Sequence, residues 1–191
     1  MRVIAGTRKS RRIKSVKNKK TRPTSDKIRE AVFHKAGPFF DGGSGLDLYA
    51  GSGALGIEAL SRGMNQMIFI DNQPAAIRTI KENVKELKLD SQSQVFKKQA
   101  ISALEILHRK QKQFDFILID PPYESTNYEE LIQKIMDFDL VKENGLLYIE
   151  LSTGKTLSLL DKSFEVQFEK TYNRTTRTII YQKAKREETG K

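Results

Sequence analysis

A short segment with three closely spaced glycines limits the folds open to this chain more than any other feature. Gly51, Gly53 and Gly56 follow an apolar stretch at 46–49 and open a helical pattern over 54–62. Glycine reaches positive φ without steric cost, so Gly51 and Gly53 permit a tight turn that brings the backbone close to a ligand. Gly56 lets the helix pack closely against the sheet. The segment predicts a strand, a ligand-binding turn and a helix in succession.

Strands and helices alternate along the rest of the chain. The apolar runs predict strands at 46–49, 66–70, 94–98, 114–119, 146–151, 164–172 and 176–183, with Asn144-Gly145 as the turn before the fifth. Helices are predicted over 25–36, 54–62, 74–87, 101–110 and 127–138, with a short helix from Lys155. Repeated strand–helix units with apolar strands require a parallel sheet covered on both faces. We expect an α/β, Rossmann-like, seven-stranded, mostly parallel sheet with helices on both faces and a C-terminal antiparallel hairpin.

The first thirty residues carry the whole net charge. They hold twelve Lys and Arg against two acids, whereas the other 161 residues hold 22 of each sign and the chain sums to +10. Apolar residues are interspersed among the basic ones, which predicts a small β-hairpin with strands at 2–6 and 12–17. A basic end on a balanced domain indicates a polyanion partner, although a solvated basic tail is the alternative. The side chains expected on nucleic acid are Arg8, Lys9, Arg11 and Arg12.

Composition narrows the remaining possibilities. Cysteine is absent, and the two histidines, His34 and His108, lie in predicted helices, so no metal is expected. No apolar run is long enough to cross a bilayer, and the basic N-terminus lacks the apolar stretch of a signal peptide. We expect a monomeric cytoplasmic protein without membrane contact. It would comprise a hairpin over 1–20, one domain over 21–183 and a disordered tail over 184–191.

Two acids indicate what the glycine loop binds. Asp71 ends the second predicted strand and could accept hydrogen bonds from both hydroxyls of a ribose. Asp47 precedes the glycines at the expected mouth of the site, where a carboxylate would repel a pyrophosphate but attract the ammonium and sulfonium of S-adenosylmethionine. We therefore favour S-adenosylmethionine, with a dinucleotide such as NAD, or an ordinary strand–turn–helix, as alternatives.

The sequence Asp120-Pro121-Pro122-Tyr123 directly follows the apolar strand at 114–119 and predicts the reaction centre. An exocyclic amino group on a base is a poor nucleophile because its lone pair is delocalised into the ring. Asp120 and the Pro121 carbonyl can accept its two N–H groups, and proline stiffens the loop without adding a donor. Tyr123 can stack on a base that has left its helix. A proline turn after a buried strand is the alternative.

Together these motifs resemble the amino-methyltransferases of the Rossmann-like class. Arg2-Val3-Ile4-Ala5-Gly6, the segment Arg22-Pro23-Thr24-Ser25-Asp26-Lys27-Ile28-Arg29-Glu30 and the ending Lys170-Thr171-Tyr172-Asn173-Arg174-Thr175 resemble, more narrowly, the bacterial family that methylates guanine N2 in 16S rRNA. The resemblance covers residues 1 to about 182. Where that family often has an acid or Asn before Ala, this chain has Gln99-Ala100, and Ser10 and Asn173 replace usual glycines.

The resemblance implies roles for particular residues. The cofactor would be bound by Asp47, Tyr49, Gly51, Gly53, Asp71, Asn72, Gln99, Ala100 and Asp120. Arg22, Thr24 and Arg29 would lie near the RNA or the mouth of the active site, and the substrate would be an assembled small-subunit particle. An adenine-N6 methyltransferase acting on DNA or RNA, and a non-catalytic RNA-binding assembly factor, are the competing interpretations.

Overall fold

The computed structural model describes residues 1–16, 26–122, 127–155, 157 and 162–185. Its seven strands are β1 (Ser44–Leu48), β2 (Gln66–Asp71), β3 (Ser93–Lys97), β4 (Phe114–Ile119), β5 (Val141–Ser152), β6 (Phe164–Tyr172) and β7 (Thr176–Lys183). Its five α-helices are α1 (Asp26–Ala36), α2 (Ala54–Ser61), α3 (Pro74–Glu86), α4 (Ala100–Arg109) and α5 (Tyr128–Asp137). Among the described helices, none is both long and apolar enough to cross a bilayer.

All seven strands form one sheet in the order β3-β2-β1-β4-β5-β7-β6. The first five strands pair in parallel, and β7 runs antiparallel to both β5 and β6. The predicted fold class is therefore confirmed. The strand order reverses direction between β1 and β4, and such switch points create a crevice at the carboxyl edge of an open sheet.

Helices cover both faces of this sheet because the strands are apolar on both sides. One core joins side chains of α1, α2 and α3 with Val3 and Ile13 of the N-terminal segment. A second core lies on the other face and joins α4 and α5 to the alternate residues of the strands. Burial on both faces explains why the consecutive residues Ile117 and Leu118, which belong to different cores, are both fully buried.

The fifth strand differs from its prediction. Asn144-Gly145 does not precede β5 but lies inside it, and Asn144 has φ 58°. The pairing of β5 with β4 shifts between Phe114 and Phe116, so the expected turn is a bulge within a longer strand. Of the short helix expected from Lys155, Lys155 and Leu157 are not helical, and the other positions lie largely outside the described residues.

The hairpin predicted with strands at 2–6 and 12–17 forms only as a short pairing, with backbone hydrogen bonds between residues 1–3 and 10–13. Residues 1–13 fold back on themselves with a single antiparallel bridge, Arg2 to Arg12, and a 3₁₀ turn over Gly6–Arg8. The physical reason is that the N–H groups of Ile4 and Ala5 donate to the carboxylate of Glu58, at 2.8 and 3.0 Å, instead of to a partner strand. The ladder therefore stops after one bridge, and the segment is attached to α2.

Glu58 is the centre of a buried charge cluster. Its carboxylate accepts from the Nε of Arg62 at 2.7 Å and lies 3.6 Å from the Nε of Arg29. Glu58 and Arg29 are fully buried. Two cations and two backbone donors therefore replace the water that this carboxylate loses, which is the condition under which a charge can be buried.

Candidate functional site

The register of the sheet brings the predicted cofactor loop and the predicted reaction centre together. Leu48 of β1 pairs with Ile119 of β4 on one side and with Ile70 of β2 on the other. The next residues along these strands, Tyr49, Asp120 and Asp71, therefore leave the sheet at the same level, with neighbouring strands about 4.8 Å apart. This is the switch-point crevice that the strand order predicts.

Left-handed backbone conformations shape the glycine loop. Tyr49, Gly51 and Gly53 have φ of 61°, 57° and 79°, and the Gly53 N–H donates to the Ala50 carbonyl at 2.7 Å. A Cβ built on Gly51 would meet only the Tyr49 carbonyl oxygen, at 3.9 Å, so the loop leaves open space above it. A ligand can approach the backbone there without meeting a side chain.

Gly56 has the packing role that the sequence indicates. A Cβ at this position would lie 2.3 Å from Cε1 of Phe69, which is fully buried on β2. Only glycine therefore lets α2 lie this close to the sheet, and that distance fixes where the glycine loop emerges.

Asp71 supports the glycine loop from the neighbouring strand. One carboxylate oxygen accepts from the Gly51 N–H at 2.9 Å and the other from the Gln73 N–H at 2.8 Å. Burial raises the pKa of Asp71, and these backbone donors oppose the rise. A carboxylate has about four acceptor sites, so Asp71 keeps capacity to accept from a ligand hydroxyl.

Asn72, Gln99 and Ala100 adjoin Asp71 at the carboxyl end of β3. The Asn72 Nδ2 donates to the Gln99 Oε1 at 3.2 Å, so this acceptor already has a partner from the neighbouring loop. Ala100 is the first residue of α4, where a backbone N–H has no acceptor within the helix. The structure therefore leaves the Ala100 N–H able to donate to a ligand.

Asp47 lies deeper than the sequence suggests. It is fully buried beneath the glycine loop instead of at its mouth, because its Oδ2 accepts from the Gly56 N–H at 2.9 Å in the first turn of α2. Its Oδ1 has no hydrogen-bond partner among the described residues. Burial, opposed by the Gly56 N–H and reinforced by the charge of Asp71, raises the pKa of Asp47 to about 7. Ionisation of this buried carboxylate costs free energy, and a nearby cation would offset that cost. The unpartnered Oδ1 of Asp47 therefore suits a cationic ligand.

The reaction-centre loop is described only in part. Asp120 is half-buried, Pro121 is buried and Pro122 is exposed, while Tyr123 lies outside the described residues. Asp120 follows the residue that pairs with Ile149, so it adjoins Glu150 on β5. Glu150 is buried and its Oε2 accepts from the Tyr148 hydroxyl at 3.0 Å.

Sequence reasoning missed Glu150 and Asn83. The Tyr148-x-Glu150 spacing, which puts both side chains on one face of a strand, is the signal that could have indicated Glu150.

Asn83 is fully buried on α3. Its amide nitrogen donates to the carbonyls of Ser52, at 2.9 Å, and Lys14, at 3.0 Å. Its Oδ1 accepts from the Lys14 N–H at 2.9 Å. Asn83 thus joins the glycine loop to the N-terminal segment, and no local sequence pattern predicts such a contact.

The basic turn lies at the far end of the helices from the reaction centre. The Nε of Arg8 donates to the Leu87 carbonyl at 2.7 Å, and Arg11 Nη2 donates to the Glu86 carbonyl at 3.2 Å. These two side chains satisfy carbonyls at the end of α3, where a cation also complements the helix dipole. Lys9 and Arg12 are exposed. They are therefore the two predicted RNA contacts that remain most accessible to a ligand.

The structure buries Arg29, which the resemblance implies lies near the RNA or the mouth of the active site. Its side chain is fully buried and faces Glu58, Asp26 and the Arg2 carbonyl, so it stabilises the attachment of α1 to the N-terminal segment. Burial lowers its pKa, while the nearby carboxylates of Glu58 and Asp26 oppose that change. Arg22 and Thr24 lie outside the described residues. Within the described ranges, no group of three or more His, Cys, Asp or Glu side chains is arranged to hold a metal ion.

Comparisons with known proteins agree with this arrangement. A solved structure titled "Putative methyltransferase yhhF from Escherichia coli" superposes with a TM-score of 0.83 and 27% identity, over 96% of this chain and 98% of that one. "Putative rRNA methyltransferase YlbH" of Bacillus subtilis is 45% identical over 78% of this chain and 82% of its own length. "Ribosomal RNA small subunit methyltransferase D" of Haemophilus influenzae is 32% identical over 82% of this chain and 81% of its own length.

The match extends over almost the whole chain. The family model described as "Conserved hypothetical protein 95" matches residues 1–181, from the N-terminal segment to the end of the sheet. It covers the glycine loop and Asp120-Pro121-Pro122, as well as the Lys170–Thr175 ending that carried the resemblance. The chain belongs to the "Conserved hypothetical protein 95" family, as its similarity to the small-subunit rRNA methyltransferases also indicates.

Proposed function

We propose that this protein transfers a methyl group from S-adenosylmethionine to the exocyclic N2 of a guanine in 16S rRNA, within an assembled small-subunit particle. The observation that carries the proposal is the register between Leu48 and Ile119, which puts the glycine loop and Asp120 side by side at the switch point. A cofactor bound on the first loop and a base bound at the second would be in contact, and proximity supplies much of the rate of a methyl transfer.

The residues at this edge fit S-adenosylmethionine. Asp71 retains acceptor capacity for the two ribose hydroxyls, and the Ala100 N–H can donate to a ring nitrogen of adenine. The unpartnered Oδ1 of Asp47 suits the positive charge of the methionine portion, which would restore the ionised carboxylate that burial disfavours. S-adenosylmethionine supplies an electrophilic methyl group to such a site when it is bound.

Asp120 and Pro121 would prepare the acceptor nitrogen. Asp120 and the Pro121 carbonyl accept its two N–H groups and draw the lone pair out of conjugation with the ring. When bound, S-adenosylmethionine would supply the methyl group and would be released as S-adenosylhomocysteine, and the carboxylate of Asp120 would take up the proton that the methylated nitrogen loses. Tyr123 stacks on the flipped base and holds it in line. The ring of Pro121 fixes its φ, and Pro122 restricts the ψ of Pro121, so the Pro121 carbonyl has a narrow range of directions.

The rRNA substrate rests on the relatives and on charge. Both named relatives carry rRNA methyltransferase in their names, and one is assigned to the small subunit. The exposed Lys9 and Arg12 lie on the N-terminal segment, which contacts the end of α3, whereas Asp120 lies at the carboxyl edge of the sheet. An RNA that touches both regions must therefore extend along the side of the protein. A folded particle presents such an extended surface more readily than a flexible strand.

Methyl transfer to unmodified small-subunit particles and to naked 16S rRNA, followed by mass-spectrometric nucleoside analysis, tests the proposal. We expect N2-methylguanosine, formed faster on particles. Asp120→Ala should lower the rate by about 10²–10³-fold, by analogy with the loss of one oxyanion donor, and leave cofactor affinity within a few-fold. Asp90→Ala makes the same charge change at an exposed site before β3 and should be neutral.

Other products would identify the competing functions. N6-methyladenosine in place of N2-methylguanosine would show an adenine methyltransferase and refute the guanine assignment. RNA binding without any heat of binding for S-adenosylmethionine would identify a non-catalytic assembly factor. Binding of NAD by the same titration would show that the glycine loop serves a dinucleotide.

A further inference from the structure

The turn between β6 and β7 extends past the end of the strand that leads into the reaction centre. Pairing of β4 with β5 ends at Ile119 and Ile149, but β5 continues alongside β7 to the pair Ser152 and Thr176. These three additional residue pairs extend about 10 Å beyond the end of β4. The turn at 172–176 therefore projects beyond the carboxyl end of β4, on the side of Asp120 that faces away from the glycine loop and with β5 between them.

The turn has an arginine in an unfavourable backbone conformation. Three residues separate the last strand pair, and the first two, Asn173 and Arg174, have φ of 51° and 55° inside the turn that the Thr175 N–H closes on the Tyr172 carbonyl at 3.2 Å. Positive φ at both central residues of a hairpin turn normally selects Asn-Gly. Asparagine tolerates this region, whereas an arginine there is strained. The Arg174 carbonyl accepts from the Thr153 hydroxyl at 2.9 Å, and this contact needs no particular side chain at position 174. Glycine at this position would therefore make the folded protein more stable.

The Arg174 side chain has no structural use that explains this strain. It is exposed, and no described carboxylate lies within ion-pair distance of it. The carboxylate of Glu169, on the same hairpin, is already paired with Arg177 at 2.7 Å. The sequence from Lys170 to Thr178 contains no acid. Within the part of the chain that the structure describes, Arg174 is thus a strained, exposed cation without a paired carboxylate.

Two lysines flank this turn on opposite faces of the sheet. The Lys155 Nζ lies 4.9 Å from the centre of the Tyr128 ring, at the start of the helix that follows the reaction-centre loop. The Lys170 Nζ lies 5.2 Å from the centre of the Tyr172 ring. The aromatic rings hold both ammonium groups near the surface beside the turn. We call Lys155, Lys170 and Arg174 the turn rim.

We propose that the turn rim is a second RNA-binding surface, on which Arg174 binds a backbone phosphate close to the target base. The inference rests on the proposed function, because it takes the partner of the site to be RNA. A guanidinium binds phosphate through two parallel hydrogen bonds, and two flanking ammonium groups favour a chain of phosphates over a single anion. The RNA backbone would bind to the turn rim near the reaction centre and to Lys9 and Arg12 on the N-terminal segment.

Three variants separate charge from strain. Arg174→Gln removes the charge and keeps a side chain at positive φ, and Arg174→Gly removes both the charge and the strain. Arg109→Gln removes one exposed positive charge at the end of α4, at the opposite edge of the sheet. The measurements are thermal unfolding, affinity for S-adenosylhomocysteine, and affinity for a 16S rRNA fragment and for small-subunit particles at several salt concentrations.

We expect both Arg174 variants to bind the fragment and the particles about 3- to 10-fold more weakly, with a salt slope lower by about 0.7–0.9. Arg174→Gly alone should unfold at a temperature higher by about 2–4 °C, because glycine removes the strain. Cofactor affinity should stay unchanged in all three, and Arg109→Gln should match the wild type throughout.

Equal RNA affinity and salt slope for Arg174→Gln and Arg109→Gln would overturn the inference. A loss seen with particles but absent with the naked fragment would also overturn it, since it would indicate a contact with a ribosomal protein. Failure of the proposed function is a separate result: the wild type would then bind RNA without forming N2-methylguanosine, and the affinities of the variants would still report on the turn rim.

Discussion

Replacing Asp47 with asparagine should stabilise the cofactor-free protein and weaken its binding of S-adenosylmethionine. Burial raises the pKa of this carboxyl from 3.8 to about 7. Because the folded-state pKa is the higher one, the contribution of Asp47 to stability is complete below about pH 4 and is lost as the pH rises to 7. Asparagine keeps an acceptor for the Gly56 N–H but does not ionise.

The size of the effect follows from the pKa. One pKa unit corresponds to about 1.36 kcal/mol, so a shift of about three units costs roughly 4 kcal/mol once Asp47 is ionised. The free energy of unfolding of Asp47→Asn should therefore exceed that of the wild type by up to about 4 kcal/mol at pH 8, and by about 1–2 kcal/mol at pH 5. Urea denaturation at several pH values, without cofactor, measures this difference.

The cofactor should reverse the preference. A cation near Oδ1 of Asp47 favours the ionised carboxylate, so the affinity of the wild type should fall as the pH drops below 7, whereas Asp47→Asn should bind weakly at every pH. By analogy with breaking a buried ion pair, the loss at pH 8 is about 100-fold, measured by isothermal titration. An unchanged affinity would show that Asp47 does not face the cofactor.

Asp115 provides a matched control of opposite sign. It accepts from Ser44 and Lys142, and these partners hold its pKa below the usual value despite partial burial. Its carboxylate contributes stability above the unfolded pKa and loses it as the pH falls, so Asp115→Asn should destabilise the protein at pH 8. A stability difference between Asp47→Asn and the wild type that is the same at pH 5 and pH 8 would refute the reasoning about burial.

Three further substitutions test the elements around the site. Glu58→Gln leaves the buried Arg29 without a full counter-charge and should lower the free energy of unfolding by about 3–5 kcal/mol in urea denaturation. Gly56→Ala forces a Cβ against Phe69 and should cost about 1–3 kcal/mol in the same assay, with weaker cofactor binding by titration. Arg12→Gln should lower the salt slope of RNA binding by about 0.7–0.9, measured by filter binding.

Each substitution has a contrary outcome. Gly154→Ala is the control for Gly56→Ala, because no atom lies within 4 Å of its added Cβ, and equal stability of the two variants would contradict the packing argument. A Glu58→Gln protein as stable as the wild type would mean that the buried cluster is dispensable. A salt slope unchanged in Arg12→Gln would favour the solvated basic tail.

The sequence predicts the sheet well because its signals are local. Apolar runs and glycines locate β1 to β4 and the glycine loop within a residue or two, and these strands bring Asp71 and Asp120 together. Contacts between distant segments are not predicted. Nothing in the residues near Ile4 indicates that its N–H bonds to Glu58, and this contact ends the expected hairpin after a short pairing.

The exposure of some charged side chains is also not predicted. The resemblance implies that Arg29 lies near the RNA or the mouth of the active site, but its position on the inner face of α1 buries it. Asp47 was expected at the mouth of the site, and the turn of chain into α2 covers it. In both cases the sequence gives the charge correctly, whereas its exposure depends on which helix packs over it.

The burial of the Glu58 cluster has a practical consequence for handling the protein. Salt screens charges in solvent over about 10 Å at 0.1 M but reaches a buried pair only weakly. Glu58 and Arg29 are fully buried, whereas Lys9 and Arg12 are exposed. Bound RNA should therefore dissociate in concentrated salt, whereas the N-terminal segment should stay attached to α2. The dependence of RNA affinity on salt concentration would therefore report the number of phosphate contacts. Detachment of the N-terminal segment, which makes these contacts, would not contribute to it.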